Sequence, residues 1–173
     1  MKTLATCITT SVLALSAAAA WGATDSQIAG TVDEANHIEI DAGRLAQSKA
    51  LSKDVQAFAQ HMVSAHTDAN ASMTELLQKL HLSPAQDPTA DKLKSGADQR
   101  LATLKTLQGS TFDRRYMDHE VYFHKAVLEE LDKRLIPEAQ NPELKSLLEK
   151  MRPAFQGHLE QAQKLQKEVE KTG

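Results

Sequence analysis

Val55-Gln-Ala-Phe58-Ala-Gln-His61-Met62-Val-Ser-Ala-His66-Thr-Asp-Ala69-Asn-Ala-Ser-Met73-Thr-Glu-Leu-Leu77-Gln-Lys-Leu80 is the stretch whose reading decides the fold. Val55, Phe58, Met62, Ala69, Met73, Leu77 and Leu80 recur every three or four positions, the period of an α-helix with one buried face. Ser52 stands just ahead as a cap, and the pattern runs to about His81. In the middle of the stripe stands His66. Counting about 100° per residue, it falls within about 20° of the stripe's centre. An ionisable group sealed among apolar side chains is strongly disfavoured unless it finds a partner, so this helix predicts an inward histidine with something to meet.

Working outward, the same interruption returns. A first helix from about Gln27 to Ala50, capped by Asp25 or Ser26, carries Ile28, Val32, Ala35, Glu39, Ala42 and Ala46. Only Leu51 and Ser52 separate it from the second, so the two are antiparallel neighbours. Pro84 and Pro88 then punctuate the chain ahead of a shorter helix, Thr89 to Leu107, with Leu93, Ala97, Leu101 and Leu104. Gly109 ends it, and Ser110 with Asp113 reads as the capping box of a fourth helix. That helix carries Tyr116, Met117, Glu120, His124, Val127, Leu128, Leu131 and Leu135. After Pro137 and Pro142 a last helix bears Leu144, Leu148, Met151, Phe155, His158, Ala162, Leu165 and Val169, with a kink expected at Pro153.

Depth agrees with direction. At 1.5 Å per residue Glu39 lies about 18 Å from the first turn and His66 about 22 Å from it. Glu120 and His158 sit at similar depths from the second connection, so if the shorter helix crosses the length of the bundle, the two hairpins run in opposite senses and both sets meet near the middle. His61 and His119 precede His66 and His124 by five residues, which turns them about 140° away, and both read as flank or surface positions. His37 and His81 are also off the stripes. A faint repeat aligns Phe58…His66 with Tyr116…His124.

The chain has 173 residues and a formal net charge of −3, with Lys and Arg scattered among Asp and Glu. With no basic stripe and few aromatics, nucleic acid is not an expected partner. Lys2, the apolar run to Ala20 and the small residues after it form a cleavable export leader over residues 1–23, with the cut after Ala20, Gly22 or Ala23. The one cysteine, Cys7, lies within it, so the mature chain of residues 24–173, a single domain, offers no thiolate. Nothing later is apolar for long enough to span a bilayer. Met62, Met73, Met117 and Met151 read as core packing, and Tyr116 as a core aromatic.

Several stretches resemble an uncharacterised family of exported bacterial proteins often labelled predicted outer membrane proteins, a domain-of-unknown-function family assigned to the ferritin-like group. They are Glu39-Ile-Asp-Ala-Gly43-Arg-Leu-Ala46, Val55 to His66, Phe112-Asp-Arg-Arg-Tyr116-Met, Val121-Tyr-Phe-His124 and His158-Leu-Glu-Gln-Ala162. The resemblance implies a ferritin-like up-down four-helix bundle with one additional connecting helix, and no defined activity. Metal-oxidising relatives of that fold aim Glu-x-x-His inward from two helices. Here Glu120-x-x-x-His124 is the nearest substitute. Few carboxylates argue against a di-iron centre, whereas three imidazoles with a carboxylate suit a single zinc, copper or iron ion.

Two readings follow. In the first, the chain is an exported, periplasmic, non-enzymatic protein that binds a transition metal through Glu39, His66, His124 and His158, with Glu120 as a further ligand or support. In the second, the polar core is metal-free and the protein is a structural or stress-related envelope component acting through its surface. Outer-membrane association stays open in both. With no phosphate loop and no nucleophile–base pair, an enzyme ranks third.

Overall fold

A computed structural model describes residues 22–171, which are helical and contain no strand. The expected leader, residues 1–23, lies outside the described residues except for Gly22 and Ala23. Helix α1 (Asp25–Lys49) starts from Thr24, whose hydroxyl and the Gln27 side chain complete a reciprocal capping box one residue earlier than the sequence suggests. Ser52 caps α2 (Lys53–Leu80), which ends at His81 in the left-handed region at φ 55°. Asp87 caps α3 (Pro88–Thr106) by accepting from the Thr89 amide at 2.8 Å. Helix α4 (Gly109–Glu130) continues through a π-helical turn (Leu131–Leu135) and a short turn (Ile136–Glu138). The last helix, α5 (Pro142–Lys171), stays helical through Pro153.

Ser110 does not cap α4. The helix starts two residues earlier than that cap implies, at Gly109, which takes φ 60°, a conformation that favours glycine. Asp113 serves a different helix: its carboxylate accepts from the Leu51 and Ser52 amides at 3.0 and 2.8 Å, across the α1–α2 turn. Asp25 does the same at the other end, accepting from the Gln140 and Asn141 amides at 2.8 and 3.0 Å. The start of each hairpin thus fastens the turn of the other, which sets their opposite sense and relative height.

Helix α1 packs on α2, α4 packs on α5, and α1 meets α4 while α2 meets α5. Helix α3 lies across α1 and α4. The core runs the length of the bundle through Ile28, Phe58, Met62, Met73, Phe112, Met117, Leu131, Leu144 and Leu148. Near one end Arg134, on the π turn, donates to both Asp87 carboxylate oxygens at 3.2 and 3.3 Å and to Glu130 at 2.9 Å. That pairing ties the extra residue of the π turn to the start of α3.

Candidate metal centre

All five residues singled out by their place on the stripes are buried: Glu39, His66, Glu120, His124 and His158. They gather into two groups that share His124. His66, His124 and His158 offer ligand atoms within 4.8 Å of one another, and so do Glu39, Glu120 and His124. The three imidazoles form a near-regular triangle, with ring centres 5.7 Å apart for His66–His124 and 5.4 Å for each pair with His158. Phe155 stacks on His66 at 5.2 Å and walls that side.

Local hydrogen bonds orient the rings. Asn36 Nδ2 donates to Asn70 Oδ1 at 2.7 Å, which leaves Asn36 Oδ1 to accept from His66 Nδ1 at 2.8 Å. His66 therefore carries its proton on Nδ1 and keeps a lone pair on Nε2. His124 Nδ1 likewise donates to the Glu120 carbonyl one turn back at 3.0 Å. His66 Nε2, His124 Nε2 and His158 Nδ1 remain sealed from solvent without a hydrogen-bond partner. Burial, then the neighbouring rings, holds His66 well below the usual histidine range. The same two causes put His124 at about 3 and His158 at about 4. At neutral pH the trio is uncharged, each ring with a lone pair free to ligate.

The acidic half behaves differently. No backbone or side-chain N–H donates to Glu39 or Glu120; the two carboxyls lie against each other, with the Tyr116 hydroxyl beside Glu120. Burial, then the Glu120 charge, pushes Glu39 well above the usual carboxylate range, and burial lifts Glu120 to about 7. Two carboxyls so close cannot both ionise cheaply in a dry interior, so with no cation present the pair retains a proton at neutral pH. Tyr116 stacks on Phe112 at 6.1 Å as a core aromatic, while its unpaired hydroxyl lies close enough to feel the Glu120 charge.

His119 departs from the expected outward flank. It is buried, with Nε2 3.8 Å from Glu39 Oε1 and neither ring nitrogen hydrogen-bonded. Burial, then Arg100 on α3, lowers it to about 4. The flank it occupies is covered by α3, whose docking face the helical spacing does not specify. His61, the equivalent position on α2, is exposed as expected, with its ring centre 5.2 Å from that of His158. Asn36 is fully buried and went unnoticed because a neutral amide does not interrupt a stripe visibly. Its position three residues before Glu39 on one helix face is the available signal.

A family model described as "Domain of unknown function (DUF4142)" matches residues 10–165. The chain belongs to the DUF4142 family. No curated protein matches this DUF4142 member. Among solved structures it is similar to "CopM in the Cu(II)-bound form", with a TM-score of 0.64 and 17% identity over 84% of this chain and 98% of that one. At that identity the likeness shows a shared helical fold. Among the described residues, no helix of this DUF4142 chain is long and apolar enough to cross a membrane.

Proposed function

We propose that this DUF4142 protein is an exported, periplasmic metal-binding protein of ferritin-like bundle architecture, and that His66, His124 and His158 hold one transition-metal ion. A single observation carries the reading: three neutral imidazoles from three helices present sealed, unpartnered nitrogens to one another. A purely structural polar network would have paired those nitrogens, because each unpaired buried group costs about 1–3 kcal/mol. Two rings on one ion, at metal–nitrogen distances of about 2.0–2.1 Å, place their centres about 5–6 Å apart, which is the spacing of this triangle. Glu120 supports His124 through its carbonyl and has Oε2 3.4 Å from His124 Nδ1. Glu39 sits behind it as a further ligand or counter-charge. Copper comes first among copper, zinc and iron: imidazoles suit all three, the general affinity order favours Cu(II), and a protein of similar fold is known in a Cu(II)-bound form.

The test is elemental analysis of the chain from residue 24 onward after exposure to Cu(II) or Zn(II) and exhaustive dialysis. About one ion per chain is expected, with a rise in melting temperature that a chelator reverses. A His66→Ala, His158→Ala double variant should lose both. A wild-type protein that emerges metal-free, or a double variant that keeps its full complement, would defeat the proposal.

A further inference from the structure

Among the described residues, the buried triangle has one histidine neighbour open to solvent. His158 is the most exposed ring of the trio at 6%, against 3% for His66 and 1% for His124. Beside it stands His61, exposed on α2, its ring edge-on at 90° and its centre 5.2 Å away. That separation is one at which two imidazoles can share an ion, by the same geometry that applies inside the triangle. The other exposed histidine on a helix, His37 on α1, bonds instead to the Asp33 carbonyl of its own helix at 2.8 Å.

From this we propose that His61 is the entry ligand of the site: it captures the ion at the α2–α5 seam and hands it, through a His61–His158 pair, to the buried trio. The inference rests on the trio reading and adds the route. Transfer is ligand exchange: a bond to His61 breaks as one to His66 or His124 forms, and the ion keeps its charge throughout. Because His61 is absent from the final ligand set, it lowers the barrier in both directions and leaves the end points alone. The His-x-x-x-x-His spacing of His61 and His66 follows from this, since five residues turn one ring out and one ring in.

The experiment is stopped-flow Cu(II) binding to wild-type protein, His61→Ala and the control His37→Ala, alongside equilibrium titration of each. His61→Ala should slow both loading and chelator-driven release by at least about ten-fold, with stoichiometry and affinity within about two-fold of wild type. His37→Ala should match wild type in both. Unchanged rates in His61→Ala would overturn the proposal by making His61 a bystander. A matching loss of affinity and stoichiometry would overturn it by making His61 a permanent ligand. A wild-type protein that takes up no Cu(II) would instead sink the trio reading itself, and the entry route with it.

Discussion

Asn36 fixes which nitrogen of His66 is free, so the proposed site depends on a residue outside its ligand set. Replacing it with Ala removes the acceptor for His66 Nδ1 and the donor to Asn70. Metal affinity should fall about 10–100-fold, as it does when the partner of a ligating histidine is lost, with helix content unchanged by circular dichroism. An affinity equal to wild type would mean that the ring orients itself without Asn36. At this scale the sequence was informative where chemistry breaks a periodic pattern. Glu39, His66, Glu120, His124 and His158 stood out because each is ionisable among Leu, Val, Met and Ala. Asn36 did not, and the 140° turn of His119 away from His124 says nothing of which flank the connecting helix α3 covers.

Helix packing shows its limits at the glycines. A Cβ on Gly30 would lie 2.0 Å from the Ala85 carbonyl oxygen, in a loop already held by the Ala85 amide donating to Ser26 at 2.8 Å. Gly30→Ala must therefore push backbone against backbone, and urea denaturation should show a loss of about 1–3 kcal/mol. Gly96, exposed in α3, has nothing within 4 Å of such an atom. Gly96→Ala should stabilise by about 0.5–1 kcal/mol through helix propensity alone. If Gly30→Ala left stability unchanged or raised it, the close approach of α1 to the α2–α3 connection would be disproved. The elements themselves were legible from apolar period and from Pro and Gly punctuation. The caps were less so, because Asp113 and Asp25 bond to amides 61 to 116 positions away in the chain, beyond any local pattern.

For the whole molecule, the opposed titrations of the core define a pH profile. In the metal-free protein the four buried imidazoles, His66, His119, His124 and His158, have folded pKa values lowered by burial. Their contribution is present above the unfolded-state value of about 6.5 and is lost as pH falls below it. The two carboxyls are raised, Glu120 to about 7, so their contribution is present at low pH and is lost as pH rises toward that value. Between about pH 4.5 and 6.5 the imidazoles outnumber the carboxyls, so apo stability should climb with pH, peak near neutrality and decline above it. Urea midpoints across pH 4.5–8.5 check this, and a flat profile would mean that the rings are wet. The opposite sense of the hairpins, which brings these groups to one level, is legible only on the condition that the connecting helix crosses the length of the bundle. The division of the core into a basic trio and an acidic pair was not, because it depends on side-chain rotamers that spacing cannot specify.

The most direct test of the proposed metal site is X-ray absorption on the copper- or zinc-loaded protein. Three imidazole nitrogens at about 2.0 Å are expected. The imidazole count should fall by one in His124→Ala. A first shell dominated by oxygen or sulfur, or one that His124→Ala leaves unchanged, would contradict the account.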